Sequence, residues 1–158
     1  MTSPTTVERT SERELVVTRT INGPPRLVFE AWTRPELFRR WWVPRSAPIT
    51  LLSCELDVRV GGSYRLMFRA AAQTMAFFGR YLEVTPCSRL VWTNDEGGVD
   101  AAAITTVTFE ERDGKTLLTV RDLHPSKEAL DAAVASGSTD GMPESLGQLD
   151  ELVVTLPR

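Results

Sequence analysis

Near the C-terminus Met142, Leu146, Leu149, Val153 and Leu156 recur at steps of four, three, four and three, which puts them on one stripe of a helix over about 140–156. Glu144, Gln148, Asp150 and Glu151 fall mostly on the other side. Before this helix lies a long stretch that reads as strand after strand. A lone apolar stripe at the end of a β-rich domain needs a sheet to lie on, and a curved sheet holding one helix often leaves a cavity between the two. The layout points to ligand binding before it points to catalysis.

Residues 14–21 are rich in β-branched side chains and predict a first strand, which Asn22-Gly23-Pro24-Pro25 ends. Leu27, Val28, Ala31 and Trp32 follow at helical spacing, with Pro24 or Pro25 suited to the first turn. A second short helix starts near Pro35 and carries Leu37, Phe38, Trp41 and Trp42; adjacent side chains on a helix diverge, so one tryptophan plugs the core and the other forms a cavity mouth or a subunit contact. Leu52, Cys54, Leu56 and Val58 alternate with polar residues as a half-buried strand. Gly61-Gly62 turns the chain into Tyr64, Leu66 and Phe68, which share the face that the last helix covers, since Arg65 and Arg69 mark the other. Further strands are expected over 74–84, 89–94, 103–111 and 116–123, with Asp113-Gly114 as a tight hairpin. In 74–84 the inward set is taken as Met75, Phe77 and Tyr81, which keeps Arg80 out. Short turns make sequential strands antiparallel. Ser126 caps a brief helix over 126–135, residues 136–139 are a polar hinge, and Asp140 is the expected cap of the last helix. The sum is one α+β domain of seven strands over 14–158, behind a disordered leader at 1–13.

A chain of 158 residues with 42% hydrophobic and 25% charged residues can bury one sizeable core. Its net charge of −3, with no basic run denser than Arg39, Arg40 and Arg45, speaks against nucleic acid. Those arginines beside a tryptophan suit a homodimer contact. No segment approaches the ~18 consecutive apolar residues of a membrane span, and the N-terminus lacks the apolar core of a signal peptide, so a cytoplasmic protein is expected. Cys54 and Cys87 have neither disulfide-framework nor metal-type spacing.

Candidate chemistry is sparse. The single histidine, His124, precedes Pro125 and reads as a solvated loop residue; no serine or cysteine lies in a nucleophile-elbow context, so no catalytic residue is assigned. One histidine and two distant cysteines predict no metal, and no phosphate-cradling glycine loop predicts no nucleotide cofactor. Glu83 lies in an otherwise apolar strand and reads as an ion pair bracing the sheet, with Arg59, Arg65 or Arg80 as partner. The aromatic load is the stronger signal. Tyr64, Phe68, Phe77, Tyr81 and Trp92, with Leu66 between them and Met142, Leu146 and Leu149 on the facing helix, are the expected binding residues for a small hydrophobic or aromatic ligand. The tyrosine hydroxyls would orient its polar group.

Several local patterns follow one another in a familiar order. They are Ala31-Trp32-Thr33-Arg34-Pro35, Arg40-Trp41-Trp42-Val43-Pro44, Asp57-Val58-Arg59-Val60-Gly61-Gly62, Gly79-Arg80-Tyr81-Leu82-Glu83-Val84, Arg89-Leu90-Val91-Trp92-Thr93 and Gly141-Met142-Pro143-Glu144-Ser145-Leu146. With them the chain resembles the bacterial homologues of the activator of heat-shock-protein-90 ATPase, within the START/polyketide-cyclase (SRPBCC) superfamily. The resemblance implies a helix-grip (START/birch-pollen-allergen-like) α+β fold for a single START-like domain. It also names alternatives to simple binding. One is a cyclase or dehydratase using Glu83, Tyr81 and an arginine, and the other is a chaperone co-factor-like interaction module.

Overall fold

In the computed structural model, which describes residues 5–95, 102–136 and 141–157, the chain runs through eight strands and four helices. Strands β1 (Thr6–Arg9) and β2 (Glu14–Ile21) lead into helices α1 (Pro25–Thr33) and α2 (Pro35–Phe38). An antiparallel meander follows: β3 (Ile49–Leu56), β4 (Ser63–Ala70), β5 (Gln73–Thr85), β6 (Arg89–Asn94), β7 (Ala103–Arg112) and β8 (Lys115–Leu123). Helices α3 (Lys127–Ser136) and α4 (Met142–Thr155) complete it. The sheet order is β1-β2-β8-β7-β6-β5-β4-β3, with every neighbouring pair antiparallel.

Each inward set follows from alternation. Leu118 and Val120 on β8, Val107 and Phe109 on β7, and Tyr64, Leu66 and Phe68 on β4 are all buried. On β5 the inward residues are Met75, Phe77 and Tyr81, as the sequence predicts. Gly79 lies just before the point, between Arg80 and Tyr81, where β5 passes from pairing with β4 to pairing with β6. A Cβ on Gly79 would sit 1.8 Å from the Thr93 carbonyl oxygen, so only glycine lets the strands approach this closely. Asp113 and Gly114 both take positive φ, 54° and 81°, as a two-residue hairpin turn between β7 and β8 requires.

Three expectations need correction. The leader expected to be disordered over 1–13 contains strand β1, which makes eight strands instead of seven. All four of its residues are exposed, so it carries no hydrophobic period. Backbone pairing with β2, a Thr6–Thr18 hydroxyl contact and a 2.7 Å Arg9–Asp131 ion pair to α3 hold it instead. In β3 the ladder slips between Leu51 and Ser53, a bulge that reverses the alternation. Ile49, Leu51, Cys54 and Leu56 pack on the core, while Leu52 turns out to solvent. On α4, half of the expected polar side is not in water: Gln148 and Asp150 are buried alongside Leu146, Leu149, Leu152 and Val153, while Glu151 stays exposed.

The reason is that α4 meets protein on two sides. Its apolar stripe lies against β2 and α1. Its polar row stitches the segment after α2: the Gln148 amide donates to the carbonyls of Trp41 and Val43 at 2.9 Å each and accepts from the Arg45 N–H at 2.8 Å. Ser145 donates to the Trp42 carbonyl at 2.7 Å. Asp150 accepts from the Asn22 backbone at 2.9 Å and from Arg19 at 3.2 Å. The expected Asp140 cap and the hinge over 137–139 lie outside the described residues, whereas Ser126 caps α3 by accepting the Ala129 N–H at 3.0 Å.

Candidate functional site

Between the concave face of the sheet and the helices lies a cavity of about 440 Å³. That falls within the roughly 300–1,000 Å³ of small-molecule sites. Its middle is aromatic. Trp92 on β6 stands 5.8 Å from Trp32 on α1 and about as near to Tyr64 and Tyr81, with centroids 6.3 and 6.4 Å away. Trp41 is fully buried and donates its indole N–H to the Ala31 carbonyl at 2.9 Å. Its neighbour Trp42 stacks on Phe38 at 4.8 Å and lines the cavity, so the pair divides into core plug and cavity wall. At the mouth Phe77 meets Phe68 edge to face at 5.2 Å, with Met75 alongside; Met75 and Phe77 are partly open to solvent.

Seven of the nine expected binding residues, Tyr64, Leu66, Phe68, Phe77, Tyr81, Trp92 and Met142, line this cavity. Leu146 and Leu149 do not. Both are fully buried, turned into the core between α4, β2 and α1. The stripe on α4 is therefore mostly structural, and only its first turn reaches the cavity.

The tyrosine hydroxyls differ. Tyr64 donates to the Thr93 carbonyl at 2.7 Å and lies 3.1 Å from the Asn94 side-chain oxygen, so its proton is already engaged. Tyr81 has no hydrogen-bond partner among the described residues, and burial pushes its phenol well above the ordinary range. It remains a neutral donor at any physiological pH. Cys54, half-buried below it, is pushed up to about 11 by the same desolvation.

One end of the cavity is polar, and sequence reasoning missed it. Asn94, Thr105, Asp122 and His124 line it, from β6, β7, β8 and the residue after β8. Asn94 donates its amide to Thr105 Oγ1 at 2.9 Å, and Thr105 donates its hydroxyl to Asp122 at 2.5 Å. Burial raises the Asp122 carboxyl above the usual carboxylate range, against the opposing pull of Thr105 and His124. The signal was in the sequence: Leu118, Val120 and Asp122 share one parity, so a strand-end aspartate had to face inward. His124, read as a solvated loop residue, is half-buried at this end, its backbone N–H donating to the Arg13 carbonyl at 2.7 Å.

Glu83 belongs elsewhere. The bulge between Tyr81 and Glu83 places it beside Val91 on the opposite face, where Arg89, and not Arg59, Arg65 or Arg80, meets it at 2.8 Å. Among the described residues no three His, Cys, Asp or Glu side chains come together as metal ligands, and no helix is long and apolar enough to cross a membrane.

Over residues 22–154 the chain matches the family described as Activator of Hsp90 ATPase homolog 1-like protein. Among solved structures it is similar to a protein from Chromobacterium violaceum, 31% identical, with 90% of this chain and 98% of that one covered at a TM-score of 0.75. A protein from Nitrosomonas europaea is 25% identical over 93% of this chain and 97% of that one, at a TM-score of 0.81. One from Rhodobacter sphaeroides, 23% identical over 96% and 99%, superposes at a TM-score of 0.87 and shows the shared fold. No curated protein matches.

Proposed function

This chain belongs to the Activator of Hsp90 ATPase homolog 1-like family, with its helix-grip fold, and on that footing we propose that its cavity takes up a small hydrophobic or aromatic molecule without transforming it. The observation that carries this is the aromatic wall around about 440 Å³ between sheet and helices. Apolar burial supplies most of the affinity there, at roughly 25 cal/mol per Å². Tyr81, as a neutral donor without a partner among the described residues, adds orientation.

The cyclase or dehydratase alternative used Glu83, Tyr81 and an arginine for proton transfer. Glu83 points away from the cavity and is paired with Arg89, and no arginine lines the cavity among the described residues, so Tyr81 alone of that set faces it.

Three tryptophans, Trp32, Trp42 and Trp92, line the cavity, so their fluorescence reports on its contents. Titration with 1-methylnaphthalene is expected to saturate at one molecule per chain. Phe68→Ala weakens it by removing wall surface, while His124→Ala leaves it unchanged. Absence of saturable binding to the wild-type chain overturns the proposal.

A further inference from the structure

We propose that the molecule taken up is an amine, an aromatic or aliphatic body whose ammonium group rests on the free oxygen of Asp122. This rests on the uptake of an apolar molecule proposed above and names its chemical class. Asp122 sits at the end of the inward row of β8, at the polar end of the cavity. Thr105 is its one hydrogen-bond partner among the described residues and holds a single oxygen, at 2.5 Å. The other oxygen is neither bonded nor sealed off within the protein.

The order of donors fixes what this end can accept. Thr105 receives the Asn94 amide proton on its hydroxyl oxygen, so its own proton must go to Asp122. Each group points its donor at the next, and the row ends on a carboxylate that can only accept when ionised. A ligand donor completes it. Lysine and arginine are absent from the cavity wall among the described residues, and a ligand carboxylate or phosphate would meet Asp122 at the polar end. An ammonium supplies the charge that the half-buried carboxylate lacks.

The surroundings set the pH dependence. Leu15 from β2 and Thr105 from β7 flank Asp122 across the sheet, Ala133 from α3 lines the same cavity, and the charge of His124 acts on the Asp122 carboxyl. Arg121 and Arg13 are exposed on the far side, the first near Glu14 at 3.4 Å and the second on the His124 carbonyl at 2.9 Å. On α3, Lys127 and Asp131 pair with one another in solvent. Ammonium binding draws Asp122 into its ionised form, so amine affinity falls as acidification protonates it.

The test is a tryptophan-fluorescence titration of wild-type and Asp122→Asn protein with 1-naphthylmethylamine, 1-methylnaphthalene and 1-naphthoate. Wild type is expected to bind the amine about tenfold or more tighter than 1-methylnaphthalene, the scale of one charge-assisted hydrogen bond, and the naphthoate more weakly than either. The amine's advantage shrinks as the pH is lowered and Asp122 takes up its proton. Asp122→Asn keeps an acceptor for Thr105 and brings amine affinity down to that for 1-methylnaphthalene, whose saturable binding also shows that the variant is folded. Equal wild-type affinity for amine and 1-methylnaphthalene, or a preference that survives Asp122→Asn, overturns the inference while the cavity reading stands. Failure of both naphthalenes to bind overturns the cavity reading itself.

Discussion

Asp150 is the one carboxylate of α4 that is buried in full contact with a cation. It accepts from Arg19 at 3.2 Å and from the backbone and side chain of Asn22, with both ion-pair side chains less than a tenth exposed. Removing one member of such a pair leaves the other charge desolvated and alone. Asp150→Ala should therefore cost roughly 3–5 kcal/mol in urea unfolding. Arg45→Ala, which breaks the exposed 3.0 Å pair with Glu151 on the same helix, should cost under about 1 kcal/mol. Equal costs would mean that Arg19 finds another partner. The two cysteines differ in the same way. Cys54 is half-buried with its thiol pushed up to about 11, whereas Cys87 is exposed. A thiolate is the reacting species, so at mildly alkaline pH a disulfide reagent should modify Cys87 first. Cys54 should follow only as the pH approaches about 11, which labelling followed by mass spectrometry resolves.

For the elements, what could be read from the chain was whatever repeats. Strands β2, β4 and β6 begin where alternation and turn residues place them, and the helical spacing of Leu27, Val28, Ala31 and Trp32 marks the buried face of α1. What could not be read was held by the backbone or by tertiary context. Strand β1 has no apolar face, and the β3 bulge moves Leu52 outward without altering the local composition. The buried Gln148 looks like surface until the segment 41–45 folds over it and offers two carbonyls and an N–H. In the cavity, the aromatic wall was legible because bulk and parity coincide; Thr105 and Asp122 were passed over, although Asp122 shares the parity of Leu118 and Val120, because polar residues near strand ends are usually solvated. Gln148 thereby clamps two elements together. Gln148→Ala should destabilise the fold by about 1–3 kcal/mol, the cost of unpaired buried groups. Amide hydrogen exchange at Arg45 should speed up by more than that global loss explains. Unchanged relative protection there would assign the clamp to Ser145 and Glu144, which also bond this segment.

For the whole molecule, the sheet serves two interiors that share a surface. Against β2 and α1, the stripe of α4 makes a closed core in which Leu146, Leu149 and Val153 are fully buried. Against β4, β5 and β6, the concave face stays unfilled over about 440 Å³. A molecule that enters this space binds the folded chain only, so occupancy must appear as stability: at a hundredfold excess over Kd, about 2.7 kcal/mol. At about 2–4 °C per kcal/mol for chains of this size, 1-methylnaphthalene at that excess should raise the melting temperature by roughly 5–10 °C. The two interiors then separate. Leu149→Ala empties closed core, costs roughly 2–5 kcal/mol and lowers the starting temperature, yet should keep the probe-induced rise, because Leu149 does not line the cavity. Phe68→Ala alters the cavity wall and should lose part of that rise at the same probe concentration. If Leu149→Ala abolished the rise while Phe68→Ala kept it, the binding surface would lie along α4, and the concave face of the sheet would be only the other half of a core.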